Sequence, residues 1–394
     1  MKSILFVIDS LGIGGAEKSL ITLLNCIDYT KYKVNLLLFS RGGAFEKYIP
    51  QQVCVLEMPQ YLTSAKSSII ELIKSNKFRF SFSRLKYSLL LRLFPRSKHT
   101  TKAMLYWQST SNCFNQINTK YDVAIAYGQG APTFFVSEKI NANKKIAWIN
   151  AILFMSSLVK RFNLKRYSKF DHIVSVSESS KINISKTFSS LNEKVTILND
   201  LIDERFIQKM AEIEVSVEMR TSSIKILTVA RLDNGHKGYD IALDACKILN
   251  RRGVNFKWYA IGDGGYRNDM VHYIEENNLQ EKFILLGAKV NPYPYFKACD
   301  LYVQTSRHEG FGLSIAEARI LNKPVVTTEF DAVWNQMVQG KNGIVVPIDA
   351  TAVADAIQEL IENPEKMEAI SNYQKTEKKG NIEELEKFYQ LIES

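Results

Sequence analysis

The sequence predicts an α/β protein made of two halves of similar plan, and three features carry that prediction. A β-branched and aromatic run, Ser3–Ile8, leads through Gly12, Gly14 and Gly15 into Leu20, Leu23, Leu24 and Ile27, which recur at helical spacing. The same strand, glycine loop and helix return at Leu301–Thr305, Gly310-Phe311-Gly312 and the apolar run from Leu313 to Leu321. Around both units short β-type runs alternate with helical segments, the plan of a mostly parallel sheet covered on both faces.

In the first half, strands are expected at Ser3–Ile8, Val34–Phe39, Val53–Leu56, Asp122–Tyr127, Lys145–Asn150, Ile173–Ser177 and Val195–Leu198. Glycines at 12, 14 and 15 let backbone approach a ligand closely, and Glu17 suits the positive end of the helix that follows. A packing turn is the alternative use of those glycines. A dinucleotide fingerprint would need a third glycine and an acid about twenty residues on. Here that glycine is absent and the second strand ends in Ser40-Arg41, so a nicotinamide-dependent oxidoreductase is a poor match. Residues 199–223 read as a connection. The alternation then restarts at Ile224–Ala230, Phe256–Ile261, Phe283–Leu286, Leu301–Thr305, Val325–Thr328 and Ile344–Val346.

A chain of 394 residues, 46% hydrophobic and 23% charged, has room for two or three domains with real cores. Its 5 cysteines include no CxxC pair, which argues against a disulfide framework or a zinc site and for a reducing cytoplasm. The opening apolar run is broken too soon by Asp9 for a signal peptide, and no run approaches a membrane span. The net charge of +10 is uneven: residues 1–200 hold 28 Lys and Arg against 12 Asp and Glu, and residues 201–394 hold 23 against 29. Such an asymmetry predicts two domains with different partners. Much of the excess lies in residues 66–102, where ten Lys and Arg and the single acid Glu71 are interleaved with Phe and Leu. Around Arg84–Pro95 the pattern is that of a basic amphipathic helix on an anionic membrane surface, with a solvated helix hairpin as the alternative. Nucleic acid is not expected, because no recognised module accompanies the charge and the other half is acidic.

Two stretches carry the chemistry. In Arg307-His308-Glu309-Gly310-Phe311-Gly312-Leu313-Ser314-Ile315-Ala316-Glu317-Ala318, two carboxylates bracket a glycine turn that opens into a helix. The N–H groups of Gly312, Leu313 and Ser314 then face the loop and favour an anion such as phosphate. One carboxylate could then accept hydrogen bonds from a sugar and the other from a ribose, on either side of one diphosphate. A capped helix with one exposed and one structural acid is the other reading. In Val229-Ala230-Arg231-Leu232-Asp233-Asn234-Gly235-His236-Lys237-Gly238-Tyr239-Asp240, a guanidinium and an ammonium flank a loop between a strand and a helix. Arg231 can clamp phosphate oxygens in a fork while Lys237 adds a point charge. As structural salt-bridge formers they would use Asp233 and Asp240.

Together these pieces resemble the family-4 retaining glycosyltransferases of the GT-B fold, two Rossmann-like domains facing each other across a cleft. The resemblance spans nearly the whole chain: Gly14-Gly15-Ala16-Glu17, Ala230-Arg231-Leu232 with Lys237-Gly238, Gly262-Asp263-Gly264, Leu286-Gly287, the Glu309 and Glu317 pair, and Asn342-Gly343. It implies an acceptor-binding domain, 1–200, with a C-terminal helix within 376–394 crossing back onto it, and a nucleotide-sugar-binding domain, 201–375. It also implies that Gly14 and Gly15 approach the donor phosphate and acceptor, and that Arg231 and Lys237 bind the diphosphate with the N–H groups of Leu313 and Ser314. Glu309 would hold the sugar beside Phe311 and Gly312, Glu317 the ribose, and the base would lie near Gly262, Leu286 and Lys289. Many relatives end the strand Lys145–Ile149 in a histidine that touches the donor sugar; here the position is Asn150, which cannot carry a proton near neutral pH. No cofactor and no metal are implied, since cations and a helix terminus take the metal's part.

The implied activity is transfer of a hexose or N-acetylhexosamine, with retention, from a nucleoside-diphosphate sugar to a lipid-linked oligosaccharide or other glycan of a surface polysaccharide. A UDP-sugar is the expected donor. The protein is expected in the cytoplasm, peripheral on the inner face of the plasma membrane through residues 66–102. Asn150 leaves open a catalytically weakened nucleotide-sugar-binding partner subunit, and a transferase for protein or teichoic acid acceptors would share the same donor site.

Overall fold

The protein is represented by a computed structural model, which describes residues 1–56, 78–93, 101–150, 153, 155–213, 219, 221–233 and 235–394. It divides into two compact units, one of residues Met1–Asn199 with Glu383–Ser394, the other of Asp200–Ile382.

The first unit is built on a parallel sheet in the order β3-β2-β1-β4-β5-β6-β7. Its strands are β1 (Lys2–Ile8), β2 (Tyr32–Leu38), β3 (Cys54–Val55), β4 (Ile117–Ala126), β5 (Ile140–Ile149), β6 (His172–Ser175) and β7 (Val195–Ile197). The helices of this unit are α1 (Gly15–Cys26), α2 (Phe78–Leu93), α3 (Lys102–Thr110), α4 (Ala131–Lys139), α5 (Ser157–Tyr167) and α6 (Glu178–Thr187). Parallel strands need crossover connections, and helices of this length supply them. On one face Leu5, Val7, Trp107, Phe134, Phe135 and Phe170 form a continuous core.

The second unit repeats the plan with the order β10-β9-β8-β11-β12-β13, again parallel. Its strands are β8 (Ile224–Val229), β9 (Phe256–Ile261), β10 (Phe283–Gly287), β11 (Leu301–Gln304), β12 (Val325–Thr328) and β13 (Ile344–Val346). Helices α7 (Glu204–Ala211), α8 (Tyr239–Arg251), α9 (Arg267–Glu276), α10 (Tyr293–Ala298), α11 (Leu313–Ile320), α12 (Ala350–Glu362) and α13 (Pro364–Thr376) cover it. Successive strand residues point to opposite faces. Trp258 therefore joins the core under α8 and α12, while Tyr259 joins the one with Phe296, Tyr302 and Ile315. A sheet buried on both sides explains why its strands read as unbroken apolar runs.

In each sheet the strand order reverses at one place, between β1 and β4 and between β8 and β11. Crevices at the carboxyl ends of such strands are where open α/β sheets take ligands. The Gly12–Gly15 loop leaves β1, the Arg231 loop leaves β8 and the Glu309 loop leaves β11, so the sequence motifs fall at these two points.

Helix α14 (Glu384–Glu393) belongs to the first unit. Phe388 stacks on Phe6 with ring centroids 6.3 Å apart, and the Asn199 N–H donates to the Glu384 carboxylate at 3.0 Å. Lys144 donates to the Leu391 carbonyl at 3.2 Å. Of the segment 376–394 expected to pack on the first domain, only Glu383–Ser394 belongs to the first unit. Gly380 has φ +70°, and a Cβ there would lie 2.9 Å from the Ile202 carbonyl oxygen. Asn381 meanwhile bonds back to Asp200 and Ile202. Residues 377–382 accordingly stay with the second unit. Of residues 66–102, the portions 66–77 and 94–100 lie outside the described residues, as do 57–65. Among the described residues no helix is long and apolar enough to cross a membrane.

Candidate functional site

The second unit gathers most of the residues singled out from the sequence. Gly238, with φ +61°, ends the Arg231 loop and caps α8; a Cβ there would lie 1.9 Å from the Thr305 carbonyl oxygen. That close approach draws the loops after β8 and β11 together. Thr305 Oγ1 donates to the Lys237 carbonyl at 3.2 Å, and the Arg307 N–H donates to the His236 carbonyl at 2.7 Å.

Lys237 and Glu309 meet across this seam. The ammonium donates to both carboxylate oxygens at 2.7 Å, with the two side chains 20% and 10% exposed. Charge-assisted bonds this short are the strong kind, and the protection from water keeps them so. Arg231 stands at the mouth of the loop, 69% exposed, with Asp233 at 3.4 Å. Asp233 is itself occupied by the N–H groups of Gly235 and His236 at 2.9 and 3.0 Å, so it orders the loop. Burial raises the Asp233 carboxyl, but these bonds and the nearby His236 leave it below the usual carboxylate range. Asp240, read from the sequence as an available salt-bridge partner, is taken by Arg307 in a two-pronged pair at 2.8 and 2.6 Å. Burial pushes the Asp240 carboxyl up, and the bonds and charge of Arg307 more than reverse it, leaving it below its ordinary value.

Gly312, with φ +88°, is the N-cap of α11, and no side chain among the described residues caps the N–H groups that open the helix. Gln336 locks the turn by donating to the carbonyls of Phe311 and Gly312 at 2.5 and 3.3 Å. Asn342 holds the Gln336 loop in turn, donating to the Gln336 carbonyl at 3.0 Å. Ser314 Oγ donates to the Val229 carbonyl at 3.0 Å, tying α11 to β8. Leu313 and Phe311 pack at the edge of the core, and Glu317 is buried, accepting from the Tyr293 hydroxyl at 3.2 Å. At the neighbouring strand ends, a Cβ on Gly262 would lie 1.9 Å from the Ala230 carbonyl oxygen, and the Gly262 N–H reaches the Gly287 carbonyl at 3.0 Å. Leu286 lies partly buried beside them, and the Lys289 ammonium sits 5.5 Å from the centre of the Tyr295 ring.

Gly14, Gly15 and Asn150 belong to the first unit. Gly14 is the N-cap of α1; its φ of −165° is ordinary extended backbone, but a Cβ there would meet the Glu17 carboxylate at 2.2 Å. Gly15 is the first residue of the helix. Asn150 follows β5, and both polar atoms of its amide are buried with no hydrogen-bond partner among the described residues. A buried unpaired amide is destabilising by about 1–3 kcal/mol, a penalty usually relieved by water or a ligand. No group of three or more His, Cys, Asp and Glu gathers around a possible metal position among the described residues.

Residues 210–377 match the family described as Glycosyl transferases group 1, a span that contains Arg231, Lys237, Glu309 and Glu317. The second unit belongs to that family. Over 392 residues, 96% of each chain, the protein is 25% identical to the N-acetylgalactosamine-N,N'-diacetylbacillosaminyl-diphospho-undecaprenol 4-alpha-N-acetylgalactosaminyltransferase of Campylobacter jejuni. Over 129 residues, 32% of this chain and 26% of the relative, it is 27% identical to the poly(ribitol-phosphate) alpha-N-acetylglucosaminyltransferase of Staphylococcus aureus. The fold is that of Anabaena HepE in complex with UDP and glucose, with TM-score 0.71, 18% identity and 100% of both chains covered. Staphylococcus aureus TarM in complex with fondaparinux, alpha-GlcNAc-glycerol and UDP gives TM-score 0.71 at 15% identity, again over 100% of both chains. At such identities these likenesses establish the GT-B architecture alone.

Within the glycosyltransferase domain, sequence reasoning missed Gln304, Ser306, Arg307 and Gln336. Three of them were open to detection. Gln304 closes the otherwise apolar strand β11 and Ser306 follows it at the spacing of one face, and Arg307 stands two residues before Glu309. Gln336 reaches Gly312 from a separate loop, and no local pattern announces that contact.

Proposed function

We propose that the chain is a retaining glycosyltransferase that moves a hexose or N-acetylhexosamine from a UDP-sugar to a lipid-linked glycan of a surface polysaccharide. The observation that carries this reading is the second unit's strand-end constellation: Arg231 exposed, Lys237 paired with Glu309, and α11 opening at Gly312 and tied to the end of β8 by Ser314. A diphosphate brings at least two negative charges. A guanidinium, an ammonium and the roughly half positive charge of a helix N-terminus offset them without a metal ion. Lys237 would share its ammonium with the phosphate, and Glu309 would then accept from a donor-sugar hydroxyl. Retention follows when the acceptor attacks on the face from which the nucleoside diphosphate departs, the leaving phosphate taking the acceptor's proton. The full-length likeness to a transferase named for an undecaprenol-linked substrate supports a lipid-linked acceptor.

Contact with an anionic membrane at the inner face of the plasma membrane is part of this reading, and helix α2 supports it. Phe78, Phe82, Leu85, Leu89 and Leu93 recur at helical spacing and are each more than half exposed. Arg79, Lys86 and Arg92 flank this stripe, Arg84 lies toward the half-buried side, and the helix holds no acid. An apolar stripe between cations is the pattern of a helix lying in a lipid headgroup layer. The test is release of nucleoside diphosphate from a panel of UDP-, GDP- and ADP-sugars with undecaprenyl-diphosphate-linked, poly(ribitol-phosphate) and peptide acceptors. UDP release that depends on the lipid-linked acceptor is expected. Release with the teichoic acid or peptide acceptor would move the assignment to those substrates, and nucleotide binding without release would make the chain a partner subunit.

A further inference from the structure

The Glu309 carboxylate is held by more than Lys237. Tyr302, Gln304 and Ser306 alternate along one face of β11 and its continuation, all buried. The Tyr302 hydroxyl donates to Gln304 Oε1 at 2.5 Å. Burial pushes that phenol well above its ordinary value, so it keeps the proton it donates. The amide is thereby oriented with its nitrogen forward. Gln304 Nε2 donates to Ser306 Oγ at 3.1 Å and to Glu309 Oε1 at 2.5 Å, and Ser306 Oγ donates to the same Oε1 at 2.7 Å. Thr328 Oγ1 fixes the Ser306 backbone through its carbonyl at 2.6 Å. The two oxygens of Glu309 are therefore unequal. Oε1 accepts from Gln304, Ser306 and Lys237, and Oε2 accepts from Lys237.

We propose that Gln304 and Ser306 are positioning residues for sugar transfer: they saturate Oε1 of Glu309 and so present Oε2, together with the Lys237 ammonium, to the donor. This rests on the glycosyltransferase reading, with Glu309 on the sugar and Lys237 on the diphosphate. With Oε1 filled, a carboxylate rotation that would bury Oε2 breaks two bonds at once, so the acceptor lone pairs of Oε2 keep one direction. A donor-sugar hydroxyl then finds its partner preorganised, and the ammonium needs only to pivot from Oε2 toward phosphate.

The test separates nucleotide from sugar. In Gln304→Ala, titration with UDP should give an affinity within about threefold of wild type, while kcat/KM for the UDP-sugar falls about 10- to 100-fold, the value of a bond to a charged group. Gln304→Glu places a second carboxyl against Glu309, with Lys237, Tyr302 and Tyr239 as the other ionisable groups around it. Two facing carboxyls share one proton at pH values where a lone one has lost it. The protonated form donates as the amide did. Gln304→Glu should therefore come closer to wild-type turnover at mildly acid pH and lose it as pH rises, and its melting temperature should fall relative to wild type over the same rise. A pH profile and melting curve parallel to wild type would overturn the proposal, as would equal losses for UDP and UDP-sugar in Gln304→Ala. Wild-type protein that releases no nucleotide would instead defeat the transferase reading, and the melting comparison would still decide the Gln304–Glu309 contact.

Discussion

Replacing Lys237 by alanine removes one side of the best-protected ion pair at the site. The ammonium makes two bonds of 2.7 Å to Glu309, whose side chain is 10% exposed. Breaking such a pair strands a charge and destabilises by about 3–5 kcal/mol when burial is complete. Gln304 and Ser306 still hold Oε1 after the substitution, and the residual exposure admits some water, so about 2–4 kcal/mol is expected. For a unit of this size that lowers the melting temperature by about 5–15 °C. Glu309→Gln added to Lys237→Ala removes the stranded charge, and the double variant should recover at least about 1.5 kcal/mol relative to the sum of the single effects. Differential scanning calorimetry on the four proteins of the cycle measures this, and nucleotide release on the same samples should show turnover down by about 100- to 1,000-fold in Lys237→Ala. If the single effects simply add, or Lys237→Ala melts with wild type, Lys237 and Glu309 are not coupled and the geometry given for them is wrong.

Other outcomes follow from the same structure. Arg307→Ala frees Asp240, whose carboxyl the fork holds below its ordinary range, for a loss of about 0.5–1.5 kcal/mol, since both side chains are about a third exposed. A depressed carboxyl stabilises above the unfolded-state value near about 3.9 and ceases to do so as pH falls through the folded one. The gap between wild type and Arg307→Ala in urea unfolding should stay constant from neutral pH to about 5 and close at lower pH; a gap that widens on acidification would refute the assignment. Turnover should survive excess EDTA, because Arg231, Lys237 and the α11 terminus supply the positive charge; abolition reversed by added magnesium would contradict this. Neutralising Arg79, Arg84 and Lys86 should release the protein from anionic vesicles, at about 1 kcal/mol per charge. Sedimentation with lipid measures it, and unchanged pelleting would remove the membrane claim. Arg79 and Lys86 also donate to the Asn112 and Gln108 carbonyls, so circular dichroism of the variant is the control for folding.

The sequence disclosed the architecture because strand and helix periods are local. Each of the expected strands is present, from Lys2–Ile8 to Ile344–Val346, with ends that shift by a few residues where the chain leaves the sheet. The loops after β8 and β11 were legible for the same reason: Arg231, Lys237, Glu309 and Gly312 are set in fixed spacing against strands and helices that declare themselves. The pairings inside the site were not. Asp233 and Asp240 looked like the acids for Arg231 and Lys237, yet Asp240 goes to Arg307 and Lys237 goes to Glu309. Those choices depend on how Gly238 brings two loops together, a contact between positions nearly seventy residues apart that no periodicity encodes. Gln336 and Asn342 illustrate the same limit, since their work on the glycine turn appears only once β12 and β13 are placed.

The most direct test of the central claim is calorimetric titration of UDP into wild-type protein and into Arg231→Ala. Arg231 is 69% exposed, with Asp233 3.4 Å away, so its loss should spare the fold while removing the fork for the diphosphate. The prediction is one UDP per chain in wild type, weakened about 10-fold or more in the variant at unchanged melting temperature. Equal affinities in the two proteins, or no binding of UDP by wild type, would contradict a diphosphate site at these residues.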